Sequence, residues 1–124
     1  MNYYYTKIDS CIKEVLDVSQ YIIRFWFEHG GTCLWSVNEK AKARYGYAID
    51  HSNVPISNDL VSELDNLESL YIGYLDWEYP PNPSPWTSHE KGYFINKANI
   101  VHKKLIVELG EEFEVINDLL DCVK

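Results

Sequence analysis

The chain has 124 residues, 46% of them hydrophobic and 15% aromatic, and a formal net charge of −8 at pH 7. This length predicts a single domain, residues 1–124, with one core, and the composition excludes an intrinsically disordered chain. The negative charge argues against binding to nucleic acid or to anionic membranes, and no run approaches the roughly 20 apolar residues of a membrane span.

The first predicted element is a helix over residues 8–27, and Asp9 or Ser10 is able to cap it. The segment His29-Gly30-Gly31-Thr32 ends it, because paired glycines favour a turn. The apolar residues at helical spacing are Ile8, Ile12, Val15, Leu16, Ile22, Ile23 and Trp26.

A short helix is predicted over about residues 37–45. Ser36 and Glu39 have the spacing of a capping box, and Gly46 suits the position after the last turn. The flanking stretches CLWSV and YGYAI could instead form a hairpin, so residues 33–49 are either a helix or a β-hairpin.

A stronger helix is predicted from Ser57, its cap, to about Asp76. Gly73 within it suggests a close neighbour. The apolar stripe consists of Leu60, Leu64, Leu67, Tyr71 and Tyr74, and it is widened by Leu70 and Leu75.

The last long helix is predicted to run to Leu109, before Gly110, with Thr87 and Glu90 as its capping box. The segment EEFEVIN that follows alternates like an exposed edge strand, or else begins a short terminal helix. The buried stripe of the long helix is Phe94, Ala98, Val101, Leu105 and Leu109.

Together these elements predict a mainly α fold. It is a compact bundle of three long helices and one short helix. One short β element accompanies them, either a hairpin or a C-terminal strand.

The residues predict no catalytic, metal or cofactor site. Of the four histidines only His29 lies near a cysteine, Cys33, and a buried thiol beside a helix-end histidine explains that pair better than metal binding or a nucleophile. Asp76 and Glu78, between aromatic residues, resemble the acids of sugar sites in composition alone. We therefore expect no enzyme, no metal and no cofactor.

The segment YLDWEYPPNPSPW at residues 74–86 holds four prolines and four aromatic residues. It is interpreted mainly as a packed connector between two helices, stiffened by its prolines. The alternative is a surface that binds a partner. Both can hold, because a rigid loop is preorganised for binding.

Charge is distributed unevenly along the chain. Residues 45–90 contain eight acids and no lysine or arginine, so this window accounts for the whole net charge. Because it is also rich in tyrosine and tryptophan, it favours an interface for a basic protein partner.

The N-terminal stretch MNYYYTKIDS lacks the basic and apolar regions of a secretory signal. Three cysteines at long spacings do not suggest a disulfide framework. We therefore expect a cytoplasmic protein of bacterial type.

The stretch GGTCLWSVNEKAKARYGYAID, followed by VPIS and LDWEYPPNPSPW, resembles small acidic cytoplasmic immunity proteins of bacteria, such as those of contact-dependent growth-inhibition systems. The resemblance covers about residues 29–110 and is one of type, because these proteins share no common binding residues. It implies a non-enzymatic inhibitor that binds a cognate toxin domain, often a nuclease, and blocks its active site.

We predict that six residues bind this partner, with carboxylates standing where a nuclease expects phosphates. They are Asp59, Glu63, Asp76 and Glu78 as acids, and Tyr79 and Trp86 as apolar anchors. The alternatives are a homo-oligomeric structural or adaptor protein and a small carboxylate-based enzyme.

Overall fold

The computed structural model describes residues 20–123, and within that range it places a three-stranded sheet beside three α-helices. The fold is therefore mixed α/β and rich in helix, so the predicted helical character is confirmed in part, whereas the compact bundle of three long helices and one short helix is not. The strands are β1 (Tyr21–Phe25), β2 (Leu34–Ser36) and β3 (Phe113–Asn117), in the order β2-β1-β3.

Strand β1 replaces the second half of the predicted helix over residues 8–27, whose first half lies outside the described residues. Ile23, Phe25 and Phe27 alternate along the segment and are at most 2% exposed. This period of two is the pattern of a strand. Ile22 and Trp26 occupy two of the three intervening positions, with Arg24 between them, so the run YIIRFWF is largely apolar on both faces and the alternation is hidden.

Strand β1 is central and pairs differently on its two sides. It is antiparallel to β2, with Arg24 opposite Trp35, and parallel to β3, with Ile23 opposite Val115. Of the two alternatives for the segment EEFEVIN, the edge strand is correct. A short 3-10 turn, Leu119–Asp121, follows it.

Helix α1 (Glu39–Tyr45) confirms the predicted short helix, but its cap is Asn38 and not Ser36. The Asn38 side-chain oxygen accepts from the backbone N–H of Ala41 and also from that of Ile22 in β1. Ser36 belongs to β2, and its hydroxyl donates to the Gly46 carbonyl. The hairpin alternative is realised only as one antiparallel bridge between Trp35 and Ala48.

Helices α2 (Asn58–Tyr71) and α3 (Ser88–Leu109) pack against each other. Ser57 caps α2 as predicted, but the α-helix ends at Tyr71 and continues as a 3-10 turn, Ile72–Tyr74. The capping box of Thr87 and Glu90 is confirmed at α3. Both predicted stripes are buried except at the end of α2, where Tyr74 and Leu75 are half-buried and Leu70 is exposed.

The core lies between the sheet and these two helices. Its largest fully buried side chains are Phe25, Phe27, Phe94, Ile23, Leu34, Ile49, Leu60, Leu64, Leu67, Leu105 and Leu119. Over residues 20–123, none of the helices has the length and apolar character needed to cross a bilayer.

Candidate functional site

The proline loop, residues 75–87, is held in one shape by Asp76. One carboxylate oxygen of Asp76 accepts from the backbone N–H groups of Glu78 and Tyr79, at 3.0 and 3.3 Å. The other accepts from the side-chain amide of Asn82 at 3.0 Å. These bonds to the ionised carboxyl, that of Asn82 first, hold the pKa of Asp76 below its ordinary value. Asp76 therefore orders the loop.

Two aromatic side chains of the proline loop face solvent, and a third does not. Trp77 is 55% and Tyr79 is 59% exposed. The indole N–H of Trp77 donates to the Ile72 carbonyl at 2.7 Å, which fixes the ring. Trp86 is half-buried, and its ring centroid lies 5.4 Å from that of Phe94. Most of Trp86 is thus a core anchor for the loop.

The two predicted acids of α2, Asp59 and Glu63, lie in its first half, away from the proline loop. Asp59 is exposed in the first turn. Glu63 is half-exposed and accepts from Lys104 of α3 at 2.9 Å. It also borders a groove of about 320 Å³ between α2 and α3, whose rim includes Lys97. The negative charge of residues 45–90, which contain no lysine or arginine, is therefore partly neutralised by lysines of α3.

The six predicted partner-binding residues form two groups. Asp76, Glu78, Tyr79 and Trp86 belong to the proline loop, whereas Asp59 and Glu63 lie about 18 Å and about 12 Å before the end of α2, at a rise of about 1.5 Å per residue. A partner that contacts both groups has to lie along the length of α2.

A cluster of four ionisable side chains lies on the other side of α2, around His51 of the 3-10 turn His51–Asn53. His51 Nδ1 is 3.1 Å from Asp65 Oδ1, and Nε2 is 2.9 Å from Glu68 Oε2. Cys33 Sγ is 3.6 Å from the same Nε2. His51 and Cys33 are both buried. We call Cys33, His51, Asp65 and Glu68 the His51 cluster.

The protonation of the His51 cluster follows from burial and from the two carboxylates. Burial, and then the charge of Glu68, raise the pKa of the Cys33 thiol well above its ordinary value. A neutral thiol is not the thiolate that nucleophilic catalysis requires. Burial lowers the pKa of His51, but the hydrogen bonds and charges of Glu68 and Asp65 outweigh it and raise the pKa overall.

The pairing of His29 with Cys33, considered from the sequence, does not occur. The His29 ring stacks on Tyr71 with centroids 4.5 Å apart, and burial lowers its pKa. Cys33 contacts His51 instead. The interpretation of Cys33 as a buried thiol is correct, since its side chain is 0% exposed.

Sequence reasoning missed the His51 cluster because its members come from three separate segments. The one signal was the spacing of Asp65 and Glu68, three residues apart on α2, which places both carboxylates on one face of the helix. Nothing in the sequence indicated that residue 51 would reach that face.

Comparison with known proteins agrees with the resemblance seen in the sequence. A family model described as Serratia CdiI immunity protein-like matches residues 21–117. This range includes all three strands, all three helices and the proline loop. No curated protein matches the chain.

Proposed function

The chain belongs to the Serratia CdiI immunity protein-like family, and we propose from this that it neutralises a cognate bacterial toxin domain by binding it, without catalysis. The match over residues 21–117 is the observation that carries the proposal. The finer parts of the proposal concern the partner's chemistry and the surface that meets it.

We propose that the partner presents a basic surface. Glu78 and Asp59 are exposed, and neither side chain makes a hydrogen bond or ion pair within residues 20–123. Their carboxylates can receive lysine or arginine side chains without first losing a bond. Glu63 and Asp76 have partners already, so we assign them supporting roles on the same face.

The proline loop supports this assignment because it is preordered. Asp76 fixes the backbone of Glu78 and Tyr79, and Trp77 is fixed through Ile72. Because the backbone of Tyr79 is already ordered, less conformational entropy is lost when its exposed ring binds than on a mobile loop. Tyr79 is therefore the proposed anchor, together with the exposed edge of Trp86.

A nuclease is the toxin class that best fits these charges. Nucleases bind phosphates through lysine and arginine, so an inhibitor gains affinity by placing carboxylates where phosphates would lie. The formal net charge of −8 also accelerates encounter with a basic partner.

The test begins with the C-terminal domain of a large secreted protein, if the neighbouring reading frame encodes one. Its affinity for this chain is measured by calorimetry at several salt concentrations. We expect Glu78→Lys combined with Tyr79→Ala to raise Kd at least tenfold, since aromatic hot spots and charge reversals each contribute that much. Binding should also become less sensitive to salt.

Glu39→Lys is the matched control, because it makes the same charge change at an exposed residue of α1, outside the proposed face. If the double variant stays within twofold of the parent while the parent binds tightly, the assigned face is wrong. If the parent does not bind the domain and does not protect cells that express it, the immunity function itself fails. Self-association in sizing experiments would favour the homo-oligomer instead.

A further inference from the structure

The surroundings of His51 Nε2 contain two oxygen atoms and the Cys33 thiol. Glu68 Oε2 lies at 2.9 Å and Thr32 Oγ1 at 3.1 Å. The Thr32 hydroxyl donates its proton to the Ile49 carbonyl at 2.8 Å, so its oxygen meets His51 as an acceptor. The buried Cys33 sulfur completes the group at 3.6 Å.

This arrangement requires a positive charge beside Nε2. Each ring nitrogen faces a carboxylate oxygen, Nδ1 that of Asp65 at 3.1 Å and Nε2 that of Glu68 at 2.9 Å, so a neutral imidazole, which has one N–H, leaves a bare lone pair against one of them. Two facing acceptors at hydrogen-bond distance repel each other. Either a proton or a metal cation must lie between them.

The geometry points to a divalent metal site, and we propose that Cys33, His51 and Glu68 bind Zn²⁺ through Sγ, Nε2 and a carboxylate oxygen, with the Cys33 thiol proton and the Nε2 proton released to solvent as the ion binds. Their ligand atoms all lie within 4.8 Å of one another. Tetrahedral zinc, with Zn–S of about 2.3 Å and Zn–N of about 2.0 Å, separates sulfur from nitrogen by about 3.5 Å. The observed separation is 3.6 Å.

The separation of Nε2 from the carboxylate oxygen requires a small adjustment of Glu68. A zinc-bound nitrogen and oxygen are about 3.3 Å apart at a tetrahedral angle, and the observed separation is 2.9 Å. The Glu68 side chain is 25% exposed, so it has room for this small rotation. Thiolate together with imidazole favours zinc over magnesium or calcium, which prefer oxygen ligands.

A cation can reach these ligands from solvent. A surface pocket of about 390 Å³ opens onto His51 and Glu68, and its lining also includes Asp50 and Asp65 but no lysine or arginine. The acids attract a cation into the pocket. With three protein ligands, the fourth coordination position faces this pocket and accepts water or a group from a partner.

Asp65 is the positioning residue of the proposed site. By accepting the Nδ1 proton, it fixes the tautomer of His51 that leaves Nε2 free for the metal, which is the usual second partner of a zinc-bound histidine. The bound ion would connect the start of β2, the 3-10 turn at His51 and the middle of α2. The start of β2 and the segment before His51 are already joined by the bond from the Ile49 N–H to the Leu34 carbonyl at 2.9 Å, so the ion would add the middle of α2 to this connection.

The experiment uses the full chain after treatment with a chelator. Co²⁺ is titrated as a spectroscopic substitute, and Zn²⁺ is then measured by competition. We expect a sulfur-to-cobalt charge-transfer band in the near ultraviolet that zinc abolishes. Cys33→Ser should remove the band, Glu68→Gln should weaken Zn²⁺ binding at least tenfold, and Asp65→Asn should weaken it about tenfold or more.

Cys122→Ser is the matched control, because Cys122 is also a buried free thiol but contacts the Phe27 N–H instead of His51. It should retain the band and the affinity. Absence of a thiolate band in the parent chain, or an equal band in Cys33→Ser, overturns the proposal and leaves a proton between His51 and Glu68. Glu68→Gln keeps the test decisive if Cys33→Ser fails to fold.

Discussion

Tyr71, the last residue of α2, donates its buried hydroxyl to the carbonyl oxygen of Cys122 at 2.7 Å. Cys122 in turn accepts from the backbone N–H of Phe27 through its sulfur at 3.1 Å. These two bonds connect the end of α2 and the segment after β1 to the C-terminal segment. That segment is therefore part of the core.

Tyr71→Phe should lower the free energy of unfolding by about 1–2 kcal/mol, because the Cys122 carbonyl loses a buried donor while the ring stays in place. Urea denaturation measures the change. Tyr79→Phe is the control, since its exposed hydroxyl has no bond recorded within residues 20–123. Equal effects of the two substitutions would show that the Tyr71 bond contributes nothing.

Gly92→Ala should stabilise the protein by about 0.5–1 kcal/mol. Gly92 lies within α3, and an added Cβ would meet nothing within 4 Å, so alanine simply restricts the unfolded chain.

Gly73→Ala should give a free energy of unfolding about 1 kcal/mol lower than that of Gly92→Ala. Here the added Cβ would lie 3.3 Å from the indole nitrogen of Trp86, which confirms the predicted close neighbour. Thermal unfolding of both variants gives the comparison. A similar gain from both would mean that Trp86 moves aside at no cost.

Lowering the pH should loosen the proline loop below the ordinary pKa of an aspartate. The folded pKa of Asp76 is depressed, first by the Asn82 amide and then by the Tyr79 N–H. Its contribution to loop order is therefore complete above the unfolded pKa and is lost as the pH falls through the folded pKa. The amide signals of Glu78 and Tyr79 in an NMR titration should report this transition.

Asp76→Asn should abolish that transition and leave the loop less ordered at neutral pH. A midpoint at or above the ordinary value of 3.8 in the parent would contradict the expectation.

Glu63→Gln and Glu78→Gln should separate a structural acid from a binding acid. Glu63 is paired with Lys104 across α2 and α3, so its loss should cost about 0.2–1 kcal/mol of stability. Glu78→Gln should leave stability within about 0.5 kcal/mol and weaken toxin binding more than Glu63→Gln does. Urea denaturation measures the stability of the two variants, and calorimetry measures their affinity for the toxin domain. If Glu63→Gln weakens binding more than Glu78→Gln does, the interface lies on α2 and not on the proline loop.

The sequence predicted those parts of the fold whose signals are local. The stripe from Phe94 to Leu109 and the Thr87–Glu90 capping box define α3 without reference to anything distant. Strand β1 was misread because it is central in the sheet, so residues of both its faces are apolar and its alternation is masked. Asn38 was missed as a cap because Ser36 and Glu39 have the spacing of a capping box. In the structure, Ser36 is instead the last residue of β2 and pairs within the sheet.

The candidate sites also differ in how far local sequence predicts them. The proline loop was visible from its composition, and exposed Tyr79 lies where that composition indicated. The half-burial of Trp86 depends on Phe94 of the following helix and could not be seen locally. The His51 cluster joins residue 33 to residues 51 and 68, and such a set is defined by the packing of α2 against the turn, so no short motif records it.

The parallel pairing of β1 with β3 joins residues 21–25 to residues 113–117, close to the two ends of the described range. The middle strand therefore lacks one neighbour until β3 has been synthesised, and such distant contacts form slowly. A nascent chain from which Phe113–Asn117 has not yet emerged cannot complete the sheet.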